Sequence, residues 1–199
     1  SLFPNEHIRR TDQLILCSQK GKTTLYWAKI LAGISISVLS SLLISTLAFI
    51  LSLSIFGTTG FDAPIQLLLG GYSYPLTLGK ATLIAYGLLI IASVLFGIFV
   101  MILSECLHSS LFTLALSTGL ILAGSILYIP DEYRLLGQLW NTLPTSFLTL
   151  WNIFETRTFI IANHCFVTWR IIPLIYLLLS ILLILVGKTI YRRYQVSGR

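Results

Sequence analysis

Four long apolar stretches alternate along the chain with polar or mixed segments, and their lengths decide the reading. A helix rises 1.5 Å per residue, so about 20 apolar residues cross the roughly 30 Å of hydrocarbon in a bilayer. Residues 26–56, 81–103, 109–128 and 171–190 meet or approach that length, and none of the four contains Asp or Glu. The pattern predicts an all-α integral membrane protein, a polytopic helical bundle of four transmembrane helices with short amphipathic or interfacial helices between them. Residues 1–24 form a polar segment ahead of the bundle, and 25–199 form the bundle with loops at 57–80 and 129–170.

Within the first span Gly33, Ser37, Ser41 and Ser45 recur every fourth residue, which puts four small side chains on one helix face. Such a stripe lets two helices approach closely in lipid, so it reads as a packing or dimer face. Gly87, Ser93 and Gly97 in the second span, and Ala115, Gly119 and Ala123 in the third, read as further small contacts. Between the second and third spans, 105–108 reads as a tight turn in water. The apolar run 65–69 is too short to cross and is expected to dip into the interface. Pro144 separates two apolar clusters, around Leu139 and Leu150, that read as short interfacial helices with Trp140, Trp151 and Trp169 at headgroup depth. Ahead of the first span Gly21 reads as a helix stop and Thr23 or Thr24 as the cap of the next helix, while Pro173 is expected in the first turn of the last span.

Charge then orients the bundle. Arg9, Arg10, Lys20, Lys22 and Lys29 crowd the start of the first span, and Lys188, Arg192, Arg193 and Arg199 the end of the last. Lys and Arg near span ends stay cytoplasmic, and an even number of spans returns the chain to its starting side, so both ends are expected in the cytoplasm. The loops at 57–80 and 129–170 become outer segments. With a net charge of +6 the chain invites a nucleic-acid reading, but only 10% of residues are charged and they sit at span ends, which a topogenic role explains without nucleic acid. The sequence opens on Ser1 with no signal-peptide pattern, which reads as part of a longer polypeptide.

Candidate chemistry is sparse. Cys17, Cys106 and Cys165 have no metal-site spacing and fall on different sides of the membrane in this topology, which argues against a structural disulfide. Asn163-His164-Cys165 has no second ligand cluster. Gly21-Lys22-Thr23 matches the end of a phosphate-binding loop, but Leu16 stands where that loop needs its first Gly, and a span follows at once. Glu105 and His108, three apart, can share a helix face and form the one pairing that invites a proton-relay or catalytic reading; their place at a turn favours a solvated role instead. No catalytic triad, metalloprotease pattern or acidic metal cluster can be assembled, and the span interiors lack the ionisable groups of an ion-coupled carrier. No catalytic, cofactor or metal residue is therefore assigned, and energy is expected from another subunit.

A resemblance makes that subunit specific. Glu6, Arg10-Thr11-Asp12-Gln13-Leu14-Ile15-Leu16, Ser18, Gly21-Lys22, and Ala28-Lys29-Ile30 opening a span together resemble the cytoplasmic segment of ABC-2 type ABC transporter permeases. The order that follows is also similar: a short outer loop, a tight inner turn, and a long outer segment with Leu143-Pro144 before the last span. The resemblance covers most of the chain and implies its C-terminal four-span portion, with the family's first two spans missing. It implies that the region from Glu6 to Gly21 is a coupling segment that docks on a separate ATPase subunit, which binds ATP and Mg²⁺, while this chain holds no cofactor; within it Glu6, Arg9, Arg10, Thr11 and Asp12 are the candidate contacts, as charged or polar groups. It further implies a second permease half or homodimer partner, and motion of the docked segment that alternates access for an exported substrate. Two other readings differ in what they require. A non-transporting accessory or immunity protein would bind no ATPase, and a membrane enzyme would bring Glu105 and His108 together inside the membrane.

Overall fold

The computed structural model describes residues 21–57, 59–67, 75–107, 109–127, 136, 140, 142–145, 158–161 and 164–196. Four long helices dominate: α1 (Gly21–Phe56), α2 (Leu78–Leu107), α3 (Ser110–Ile126) and α4 (Thr168–Val196). Three of them, over Thr24–Phe56, Leu78–Leu107 and Trp169–Tyr191, are long and apolar enough to cross a membrane. The 17 residues of α3 are also apolar but shorter, about 26 Å of helix.

The surface of these helices is the argument for lipid. Leu111 is 82% exposed, Ile55 72% and Leu83 75%, while Ser41, Ser45, Thr113 and Ser117 are buried. In water this distribution would be inverted, because exposed apolar side chains each forfeit about 1.5–3 kcal/mol of burial. A hydrocarbon solvent removes that penalty and leaves close packing and internal hydrogen bonds to hold helices together. The chain is a membrane-embedded protein.

Contacts place α2 at the centre, touching α1, α3 and α4. Gly33 of α1 faces Met101 and Ser37 faces Gly97, while the rings of Phe49 and Tyr86 meet edge to face at 5.6 Å. The rising number on one helix against the falling number on the other makes α1 and α2 antiparallel. Against α4 the sense is reversed. Ile172 and Tyr176, near the start of α4, join a core with Ala81, Ala85, Leu88, Ala92 and Leu95, and Gly187 lies beside Ile102, so α2 and α4 run in the same direction. The α2 side of that core recurs at alternating steps of four and three residues. Three of its five members are alanines, which bring the backbones close.

The loop after α1 folds back onto the core. Gly57 leaves α1 with φ +75°, a left-handed conformation that Gly adopts without steric cost at a helix C-terminus. Its N–H still donates to the Leu53 carbonyl at 2.9 Å. A 3₁₀ turn, Ile65–Leu67, follows, held by Ile65 N–H to Leu76 O at 3.0 Å and Leu78 N–H to Ala63 O at 2.9 Å. Ile65 is buried in the α2–α4 core and Leu67 is exposed. The run expected to dip into the interface thus divides, with Ile65 a plug in the protein core.

Several local expectations are corrected. Thr23 and Thr24 lie inside the first turn of α1, which opens at Gly21, and Pro173 sits in the second turn of α4, which opens at Thr168. Further along the segment 129–170, where no strand was expected, an antiparallel hairpin forms from β1 (Thr158–Ile161) and β2 (His164–Val167), with Phe159 opposite Phe166 and Ile160 opposite Cys165; most of the two clusters around Leu139 and Leu150, read as short helices, lies outside the described residues. Helix α2 continues through Glu105 to Leu107 where a turn was expected, and Ser109 caps α3, its hydroxyl accepting from the Phe112 N–H at 3.4 Å. On α3 the packed residues are Thr113 and Ser117, while Ala115 and Gly119 are exposed. Thr113 donates to Ser109 O at 2.8 Å and Ser117 to Leu114 O at 3.0 Å. With its proton spent on its own helix, a hydroxyl packs as a small apolar group.

Candidate functional site

One end of the bundle gathers the start of α1 and the ends of α2 and α4. Tyr26, Lys29, Glu105 and Tyr191 are all buried there. The Tyr26 phenol donates to the Ile184 carbonyl at 2.7 Å, and its ring lies 5.5 Å from that of Tyr191 and 6.0 Å from that of Trp27. Gly187 leaves the space this needs, since a Cβ at that position would stand 2.8 Å from the Tyr26 hydroxyl. Lys29 Nζ is 5.9 Å from the centre of the Tyr191 ring and Lys188 Nζ 5.9 Å from that of Trp27. Each cation interacts with an aromatic face, while its alkyl stem lies on apolar surface. The sequence marks Tyr26, Trp27 and Lys29 as an interfacial belt; that α4 supplies the matching Lys188 and Tyr191 depends on helix packing and is not visible in the order of residues.

Glu105 belongs to this end and not to a solvated turn. At 9% exposure it lines a narrow gap with Tyr26, Ile30, Met101, Ile102, Gly187 and Ile190. The turn reading fails because α2 extends past Glu105 and α1 and α4 close over its last turn. His108 lies outside the described residues. No group of three His, Cys, Asp or Glu side chains that could hold a metal ion occurs among the described residues.

Toward the middle of the bundle the small-residue stripe of α1 turns to α2. Gly33 meets Met101, Ser37 meets Gly97, and Ser41 and Ser45 are buried. Beyond the Ser37–Gly97 contact a half-open cavity of about 280 Å³ lies between α1, α2 and α3. Ser40, Ser41 and Ile44 wall it on one side, Leu89, Ala92, Ser93 and Phe96 on another, and Ile121 of α3 with Pro144 and Thr145 close it. Its serines are satisfied within their own helices: Ser40 donates to Ser37 O at 3.1 Å, Ser41 to Val38 O at 3.0 Å and Ser93 to Ile90 O at 2.8 Å. The Thr145 hydroxyl differs, for its Oγ1 is buried against Gly124 and has no hydrogen-bond partner. The segment carrying it is tied down at two points, by Trp140 Nε1–H to Leu127 O at 2.9 Å and by the Tyr176 phenol to Thr142 O at 2.6 Å. The sequence gives no sign of this cavity, because three separate helices build it.

Glu6, Arg9, Arg10, Thr11 and Asp12 lie outside the described residues, in the stretch that leads directly into the Tyr26–Lys29 end of α1. Compared with family models, curated proteins and solved structures, the chain matches none.

Proposed function

We propose that this chain is a membrane-spanning permease subunit of an ATP-driven ABC-2 type exporter, coupling ATP hydrolysis by a separate ATPase subunit to transport. In this reading α3 also crosses the membrane and brings the spans to four, both ends are cytoplasmic, and residues 1–24 dock on the ATPase, which binds ATP and Mg²⁺. The observation that carries the reading is the polar pattern from Glu6 to Lys29 running without a break into a span.

The geometry of α1 supports it. From Gly21 to Phe56 the helix is continuous for 36 residues, about 54 Å. A displacement at its basic end therefore reaches the far side of the membrane as rigid motion instead of being lost in a flexible joint. The close contact of Ser37 with Gly97 hands that motion to α2, and the α2–α4 core carries it on. A homodimer partner or second permease half completes the transporter.

Co-purification of the full-length parent protein with its candidate ATPase subunit tests the reading. Arg9, Arg10 and Asp12 are all changed to Ala in the comparison variant. Loss of the complex with membrane insertion intact supports it. Undiminished association moves the contact away from this segment, and no association even for wild type sinks the transporter reading in favour of a non-transporting accessory protein.

Burial of Glu105 favours a second reading, a membrane enzyme that uses it with His108. Glu105→Gln separates the two: such an enzyme loses turnover, whereas ATPase docking through residues 6–24 is unchanged.

A further inference from the structure

We infer that Trp27 and Lys188, at the end of the bundle where α1 starts and α4 finishes, bind the phosphodiester of an anionic phospholipid. The inference goes beyond the exporter reading and does not depend on it. Folding concentrates charge that the sequence keeps far apart. Lys22 and Lys29 lie in the first nine residues of α1, and Lys188, Arg192 and Arg193 in the last nine of α4. The Tyr26 bond to Ile184 and the contact of the Tyr26 and Tyr191 rings bring those two helix ends together. Among the described residues the acidic group at this end is Glu105, which is buried. One buried carboxylate does not balance five cations. At the opposite end the described charges are Asp62, Lys80 and Arg170, one carboxylate against two cations.

Depth and neighbours identify the anion as part of a lipid. Trp27 lies three residues inside the start of the span Thr24–Phe56, and Lys188 three residues inside the end of Trp169–Tyr191. Both therefore stand about 4.5 Å in from a span end, at the level of the headgroups. Trp27 is 44% exposed, and Lys188 Nζ rests 5.9 Å from the centre of its ring. The ring steadies one side of the ammonium, and the remaining N–H donors call for an acceptor. A phosphodiester supplies that acceptor together with the opposite charge. About one turn deeper the same two helices expose Leu31, at 63%, and Leu185, at 57%. A free phosphate gains nothing from those side chains, whereas a phospholipid lays its acyl chains on them while its phosphate stays at the cation. A zwitterionic headgroup would bring a further cation to a cation-rich end, so the site selects a net-anionic one.

The test uses the full chain in detergent micelles, with phosphatidylglycerol and phosphatidylcholine of identical acyl chains added in equal amounts. Native mass spectrometry counts the lipids bound. The wild type is expected to favour phosphatidylglycerol. One cation at a charged membrane surface corresponds to about a fivefold change in binding, so Lys188→Gln is expected to lower that preference about fivefold. Lys188→Arg is expected to keep it, and Lys80→Gln, at the opposite end, to leave it unchanged. Should Lys188→Gln misfold, Trp27→Leu takes its place at an exposed position and is expected to lower the preference in the same direction. Inorganic phosphate added at matched ionic strength is expected to leave the lipid count unaltered. Equal binding of the two lipids by the wild type overturns the inference. So does a preference that survives Lys188→Gln, one that falls as far in Lys188→Arg or Lys80→Gln, or displacement of the lipid by inorganic phosphate.

Discussion

The phenol of Tyr26 donates to the carbonyl oxygen of Ile184 at 2.7 Å, and so joins the first turns of α1 to the second half of α4 across the end of α2. The donor is buried at 4% exposure, and the bond forms only because position 187 carries no side chain. Hydrogen bonds between membrane helices contribute about 0.6 kcal/mol on average and up to about 1.7. Tyr26→Phe is expected to lower stability by about 1 kcal/mol, roughly 2–4 °C in thermal unfolding of a chain this size. Gly187→Ala, whose Cβ would press on the same hydroxyl, is expected to cost at least as much. Because both changes break one bond, the double variant should lose less than the two singles added. Full additivity would show that Gly187 acts through Ile102 instead.

Gly97 sets the distance between α1 and α2. A Cβ there would overlap Ser37 Oγ, a short side chain that has little room to turn away, whereas a Cβ at Gly33 would meet the flexible end of Met101. Gly97→Ala is therefore expected to cost about 1–3 kcal/mol, in the range of overpacked cores, and Gly33→Ala clearly less. Ser37→Gly in the Gly97→Ala background should recover most of the loss. Unfolding curves for the four proteins in one detergent check the ordering.

These contacts mark how far the sequence could be read. The extent of α1, α2 and α4 is legible in apolar length, because lipid demands it; the few residues by which α2 and α4 run past the expected ends, such as Leu78 and Leu107, are not, since a helix continues into water wherever its polar residues still pack. The four-residue recurrence of Gly33, Ser37, Ser41 and Ser45 shows which face of α1 is small but not which helix lies against it. On α3 small size misleads. Thr113 and Ser117 are packed while Gly119 is exposed, because a self-satisfied hydroxyl packs as well as a methyl and its residue is not recognisably polar in place. The β-branched and aromatic residues of 158–161 and 164–167, separated by Ala162-Asn163, do carry a hairpin signal. It is masked by the apolar runs on either side. The cavity at Ser41 and Ser93 has no sequence trace at all, since three separate helices and a loop build its walls.

Tyr176 holds the cavity roof. Its phenol donates to Thr142 O at 2.6 Å from a side chain buried in the α2–α4 core, and Pro144 and Thr145 follow within one turn of chain. Tyr176→Phe keeps the ring and its packing and removes only the tether. Overall stability is expected to change by about 1 kcal/mol or less. Amide hydrogen exchange over 140–145 should rise several-fold, with exchange in the α2–α4 core unaltered. Equal acceleration in both regions would mean that the bond supports the core and not the roof.

Glu105 poses a contest between two effects of known size. It lies in the last turn of α2, where the negative end of the helix dipole disfavours a carboxylate and favours a cation by about 0.3–1 kcal/mol. On that ground alone Glu105→Lys would stabilise. Burial opposes it: the side chain is 9% exposed among Tyr26, Ile30, Met101 and Gly187, and buried Lys29 belongs to the same end of the bundle. Placing an unmatched cation in such a site costs about 3 kcal/mol or more, which exceeds the dipole gain. Glu105→Gln keeps the shape and removes the charge, so its cost is expected near 1 kcal/mol. Glu105→Lys is expected to yield mostly aggregated protein in size-exclusion chromatography. Should both variants elute as folded protein with equal unfolding temperatures, the carboxylate reaches water and the buried description of this end is wrong.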